Sequence, residues 1–304
     1  MTKKPNNMGA SVQARLLNLS RERNEDFQLV LTRYANERLL YRLSTSPHAK
    51  QFVLKGAALF TLWTGAPHRA TRDIDFLGFG DATTEWLRAV LEDVIRQPAE
   101  DDGVLFGANS LQVAPIREDQ EYGGIRAVLF ASVVRAKVRL QWDVGFGDAI
   151  TPAAEIATFP TLLDFEAPRL RAYPKETVVA EKVEAMVQLG IANSRMKDFY
   201  DVAALAQMYA FDGATLARAC KATFERRKTP LPEATAVAFT EAFSADAVKN
   251  TQWTAFVRKA GLKDAAGLAT AVANVRAFAE PALAAARNDA GWRAQWPVGG
   301  PWTH

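Results

Sequence analysis

From Val138 to Gly145 the chain alternates without a break. Val138, Leu140, Trp142 and Val144 are apolar, and Arg139, Gln141, Asp143 and Gly145 stand between them. A period of two marks a strand with one buried and one polar face, so this part of the chain is committed to a sheet. Asp143 falls on the polar face, directly before Val144-Gly145-Phe146-Gly147-Asp148. The alternation recurs at Asp73-Ile74-Asp75-Phe76, where the two carboxylates project together and Ile74 and Phe76 point into the core. Upstream, the apolar run Phe52-Val53-Leu54 leads into Lys55-Gly56-Ala57-Ala58, a turn of small residues.

Helical periods surround these strands. Residues 1–10 read as a mobile tail, and a helical pattern begins at Ser11. In a longer helix, from about Asn24 to Leu43, Phe27, Leu31, Tyr34 and Arg38 form one stripe. Ala57 to Trp63 and Glu85 to Arg96 read as helices, Thr71 to Phe79 as a strand, and Val104 to Val144 as strands with a hairpin turn at Gly123-Gly124. From about Lys175 nearly everything is helical, including Ala234–Phe243 and Ala265–Asn288, with Pro281 expected to kink or split the latter. The tail holds Trp292, Trp296 and Trp302, which are costly to leave in water and are expected to pack on the body. The pattern predicts an N-terminal part with a small mixed sheet, residues 1–174, and a helical part, residues 175–304.

Composition limits the chemistry. The one cysteine, Cys220, excludes an internal disulfide, and His48, His68 and His304 are too few beside it for a Cys/His zinc site. Any catalysis rests on carboxylates, lysines and arginines. A net charge of +3 neither requires nor forbids a nucleic-acid partner. No apolar run approaches the about 18 residues that span a bilayer, and the basic N-terminus lacks a signal core, so a cytoplasmic protein with no membrane partner is expected.

Two carboxylates on one face repel each other unless a cation lies between them. Mg²⁺ takes such sites, completed by waters and substrate phosphates. Asp73 and Asp75 therefore suggest metal-assisted phosphoryl or nucleotidyl chemistry. If the alternating strand pairs near Thr71–Phe76, Asp143 joins them, and three carboxylates can hold two ions for in-line displacement at phosphorus. Asp143 can equally begin a turn. A second segment, Lys175-Glu176-Thr177 through Ala180-Glu181-Lys182, opens a helix on which Lys182 either meets a triphosphate or belongs to a solvated charged face. In a third, Arg195-Met196-Lys197-Asp198 through Asp201, Asp198 either caps its helix or has a functional role, orienting Lys182 or binding the nucleotide base or ribose.

Taken in order, these segments resemble the AbiEii/AbiGii nucleotidyltransferase toxins, which include the mycobacterial MenT toxins and belong to the DNA polymerase β-like superfamily. The resemblance runs from about residue 50 to 205. It implies an α+β fold: a polymerase β-like nucleotidyltransferase core with a small mixed sheet, then a helical C-terminal part. It implies catalytic roles for Asp73, Asp75, Asp143, Lys182 and Asp198, with Asp73, Asp75 and Asp143 as metal ligands. Lys55, Gly56, Ala57, Arg72, Arg195 and Lys197 would bind phosphate or nucleotide. It also implies Mg²⁺ or Mn²⁺, a nucleoside triphosphate donor, a tRNA 3′ end or other RNA or protein acceptor, and a cognate antitoxin protein. The alternatives are a degenerate module that binds nucleotide or RNA without turnover, and a kinase-like phosphotransferase. The chain departs from the superfamily at the turn, where Gly56-Ala57 replaces Gly-Gly or Gly-Ser and fifteen residues separate Ala57 from Asp73.

Overall fold

Asn7 and Asp26 open the first two helices. Their side chains accept hydrogen bonds from the backbone N–H of Ala10 at 3.0 Å and of Leu29 at 2.9 Å. In the computed structural model, which describes residues 7–69, 71–116, 123–288 and 291–304, these caps start α1 (Met8–Glu22) and α2 (Phe27–Thr45). The segment expected as a mobile tail therefore turns helical at Met8, and residues 1–6 lie outside the described residues. There follow β1 (Phe52–Lys55), α3 (Ala58–Thr64), β2 (Asp73–Gly78) and α4 (Thr84–Arg96). Next come β3 (Val104–Pro115), β4 (Ile125–Val133), β5 (Ala136–Phe146), β6 (Glu155–Thr158) and β7 (Arg169–Ala172).

The chain divides into two compact units. One takes the residues up to Gly147 together with Glu155–Ala172, and the other takes Asp148–Ala154 together with Tyr173–His304. The first holds a seven-stranded sheet in the order β3-β4-β5-β2-β1-β7-β6. β2 runs parallel to β5 and β1 parallel to β7, while the other pairs are antiparallel, so the sheet is mixed. Ile74, Phe76, Trp142 and Val144 are buried on its apolar face. The Trp142 ring lies 4.9 Å from that of Phe76, and its indole N–H donates to Asn36 of α2 at 3.2 Å.

Arg38 shares the apolar stripe of α2 and is fully buried there. Its Nε donates to Asp102 at 3.2 Å, and Arg42 Nη1 donates to the same carboxylate oxygen at 2.7 Å. One buried acid thus holds two arginines of α2.

The second unit contains α5 (Lys175–Leu189), α6 (Met196–Met208), β8 (Phe211–Asp212), α7 (Gly213–Arg226), α8 (Glu241–Ser244), α9 (Ala247–Ala260), α10 (Leu268–Asn288) and β9 (Gln295–Trp296). The expected helix over Ala234–Phe243 is replaced by a 3₁₀ turn, Val237–Phe239, followed by the short α8. Ala236 and Thr240 are extended at ψ 142° and 161°, which breaks the helix, although the buried Phe239 and Phe243 keep helix-like spacing. Pro281 does not split α10. Buried Phe278, Ala279, Ala282 and Leu283 hold the helix through the position where proline removes a donor. Trp302 stacks on Phe278 and lies 4.4 Å from Trp292 and 5.3 Å from Trp296, so the tail packs as expected. Cys220 is buried and free, and burial pushes its thiol up to about 12.

Candidate active site

Pairing of β1, β2, β5 and β4 lines up four charges across the sheet. Lys55 stands opposite Asp75, Asp75 beside Asp143, and Asp143 opposite Arg126. Residues level with one another on neighbouring strands share a face. The order is cation, carboxylate, carboxylate, cation. Asp73 lies two residues along β2 on the same face, level with Gln141. The structure thus brings Asp143 beside the Asp73–Asp75 strand, and the alternative that it begins a turn falls, because β5 continues to Phe146.

The turn before α3 explains its sequence. Gly56 has φ +72°, and a Cβ there would lie 2.0 Å from an Asp75 carboxylate oxygen. Only glycine lets the backbone pass so close at that φ. Ala57 has φ −69° and ψ −21°, ordinary right-handed geometry, so no second glycine is needed. Its side chain supplies no cap to α3.

Asp143 is firmly held. Arg126 donates Nε to one carboxylate oxygen at 2.8 Å and Nη2 to the other at 2.7 Å, a bidentate pair. Gln141 Nε2 lies 3.3 Å from both oxygens, and its own Oε1 accepts from Arg139 at 3.1 Å. Carboxylate oxygens are the donors a hard divalent ion takes, and Asp73 and Asp75 offer them on this face between the cations Lys55 and Arg126. Among the described residues no three acidic or imidazole groups already converge as a metal cluster. Arg126 takes one lone pair of each Asp143 oxygen and competes with an ion for that carboxylate. Arg72 is exposed immediately before β2, and Lys55 is half-buried.

In the second unit, Lys182 of α5 reaches two carboxylates of α6. Its Nζ lies 2.6 Å from Asp198 and 2.9 Å from Asp201, both fully buried. The other Asp198 oxygen accepts from Arg195 Nε at 2.6 Å. Burial pushes the Asp198 carboxyl up, but Lys182 and Arg195 outweigh it and hold the group well below the usual carboxylate range. Asp198 is not the cap of α6, whose N-cap is Arg195 with no side-chain cap bond. It positions the two cations instead. Lys197 is exposed, unlike its neighbour Asp198.

Arg227 stands in the cluster Arg226-Arg227-Lys228, whose sequence reads as a solvated helix end. The structure turns it inward. It lies 2.7 Å from Glu184, 3.1 Å from Asp148 and 3.6 Å from Glu181. Burial lowers its affinity for the proton, but Glu181, Asp148 and Glu184 outweigh it and raise it above the ordinary arginine value. The one sequence signal was the Glu181-x-x-Glu184 spacing, which puts two acids on one face of α5.

Residues 38–286 match the family described as "Nucleotidyl transferase AbiEii toxin, Type IV TA system". Among solved structures, JHP933 from Helicobacter pylori is similar at a TM-score of 0.52 and 15% identity, over 87% of this chain and 95% of that one. A second H. pylori structure, titled "putative nucleotidyltransferase", is similar at a TM-score of 0.50 and 15% identity, over 88% of this chain and 100% of that one. At such identity the likeness concerns the fold. No curated protein matches.

Proposed function

Because the chain belongs to the AbiEii family of nucleotidyltransferase toxins of type IV toxin–antitoxin systems, we propose that it transfers a nucleoside monophosphate from a nucleoside triphosphate to the 3′ hydroxyl of a tRNA or another RNA. Family membership implies a nucleotide substrate and an antitoxin partner. Among the described residues no helix is long and apolar enough to cross a membrane.

In the transfer, the acceptor oxygen bonds to the α-phosphorus and the bond from that phosphorus to the bridging oxygen breaks. Pyrophosphate leaves, and the hydroxyl proton passes to a base. The observation that carries the reading is the row Lys55–Asp75–Asp143–Arg126 with Gly56 pressed against Asp75. Asp73, Asp75 and Asp143 would hold Mg²⁺ or Mn²⁺, which when bound neutralises triphosphate charge and acidifies the acceptor hydroxyl. Asp143 accepts the hydroxyl proton. The backbone N–H groups of Gly56 and Ala57, with Lys55, hold the β- and γ-phosphates, and Arg72 holds a nearby phosphate. Lys182 and Arg195 balance Asp198 and Asp201, two cations against two carboxylates. What these two cations offer a ligand is therefore directed N–H donors more than net charge, with Lys197 an exposed contact for RNA backbone.

The test is incubation of the chain with total tRNA, a divalent ion and triphosphates labelled at the α or the γ position. Label from the α position enters RNA, pyrophosphate is released, and Asp75→Asn abolishes both. Transfer of the γ label with release of diphosphate would instead establish a kinase-like phosphotransferase. Nucleotide binding with no transfer of either label would establish a degenerate module.

A further inference from the structure

Between α2, α3 and residues 159–162 the first unit holds a pocket open to solvent. It adjoins the start of β2, where Asp73 and Ile74 form part of its wall. Gly56, Ala57, Asp75 and Asp143 are absent from that wall among the described residues, so the pocket meets the proposed ion site through Asp73 and Arg72 and extends away from the charged row. Three guanidinium groups line it, those of Arg23, Arg33 and Arg72.

Arg33 is the innermost. Its side chain is 13% exposed, and Nη1 lies 2.9 Å from Glu25. Its Nη2 is buried and has no hydrogen-bond partner among the described residues. A buried donor left unmade costs free energy, which an acceptor entering the pocket would recover. Burial, and then the nearby charge of Arg23, act against the Arg33 proton, with Glu25 opposing them. An anion relieves such crowding. Glu37 also lines the pocket, but its oxygens are engaged, one by the Leu162 N–H at 2.7 Å and one by Arg38 at 3.3 Å. The rest of the wall is mixed: Leu40, Ile74 and Phe159 are apolar and buried, and Asn36, Thr61, Thr71, Thr161 and the Asp73 carboxylate stand among them.

We propose that this pocket binds one nucleotide unit, with Arg23, Arg33 and Arg72 on its phosphate and Leu40, Ile74 and Phe159 against its base. Guanidinium groups match phosphate geometry, and an apolar wall takes the face of a base. The choice of a nucleotide over other flat phosphorylated molecules rests on the nucleotidyltransferase reading. The test below needs no transfer, so the two can fail separately.

The experiment is calorimetric titration of the full chain with AMP, CMP and inorganic phosphate, in EDTA so that no divalent ion contributes. A nucleoside monophosphate binds more tightly than phosphate alone. The exposed variants Arg23→Gln and Arg72→Gln each weaken it about tenfold, the loss expected for one charge-assisted bond. Asp75→Asn leaves binding within about twofold, because Asp75 does not line the pocket. Arg33→Leu removes binding. Should that variant fail to fold, the two exposed variants still decide. A short RNA that displaces AMP identifies a strand end as the source of the nucleotide, and failure to displace it identifies a free nucleotide. The proposal is overturned if AMP does not bind at millimolar concentration, if both exposed arginine variants bind it unchanged, or if Asp75→Asn abolishes binding.

Discussion

Asp198→Asn removes one charge from a buried group of four. The carboxylate is fully buried, Lys182 is 13% exposed, and Arg195 is 39% exposed. Breaking one partner of a buried pair costs about 3–5 kcal/mol. Here Lys182 keeps Asp201 at 2.9 Å, and the Arg195 contact is screened by water. Asparagine also still accepts one hydrogen bond. The expected loss is therefore about 2–3 kcal/mol. Urea denaturation followed by tryptophan fluorescence measures it. Because two units need not unfold together, the comparison holds only where the slope is unchanged. Lys182→Met and the double variant complete a cycle, with an expected coupling of about 2 kcal/mol. The pH dependence adds a sign. The folded carboxyl is depressed, so its stabilisation is fully present above the unfolded aspartate value of about 4 and is lost as pH falls toward the folded one. The gap between wild type and Asp198→Asn is thus full at pH 6 and narrows below about pH 4. Additive single variants, or a gap that widens on acidification, would refute the reasoning.

Gly56→Ala forces a Cβ against Asp75 in left-handed backbone and abolishes transfer, whereas Ala57→Gly keeps activity and costs only about 0.5–1 kcal/mol in thermal unfolding. Arg126→Gln removes the competing cation from Asp143, leaving Gln141 on its oxygens, and tightens Mn²⁺ binding several-fold by electron paramagnetic resonance titration; unchanged affinity would remove Asp143 from the ion site. Asp102→Ala leaves Arg38 and Arg42 buried without their shared acid and lowers stability by about 3–5 kcal/mol in chemical denaturation. A loss below about 1 kcal/mol would show that water reaches the pair.

Local patterns made much of the first unit readable. Alternation at Val138–Gly145 and Asp73–Phe76 gave the two central strands and the face of each carboxylate, because period two is written residue by residue. Their parallel pairing, and hence the neighbours of Asp143, depends on register between segments far apart in sequence. Arg126 was invisible for that reason, since it sits on β4 and faces Asp143 only through antiparallel pairing. Asp102 had no signal either, because its partners lie about sixty residues away on α2. Ala234–Phe243 misled because the spacing of buried Phe239 and Phe243 imitates a helix where the backbone is extended at Thr240. The pair Lys182 and Asp198 was legible as a choice between two roles, and hydrogen bonding selected positioning over capping.

The short segment Asp148–Ala154 belongs to the second unit although sheet strands of the first flank it in sequence. Asp148 is held there by Arg227, and Thr151 exchanges hydrogen bonds with the Thr177 hydroxyl. The covalent chain therefore changes units at three places. A single cut cannot release either unit whole, and a fragment beginning at Tyr173 would lack Asp148, one of the three acids around Arg227. Such a layout ties the exchange of the two units together: a crossover at any one joint would carry over only part of a folding unit.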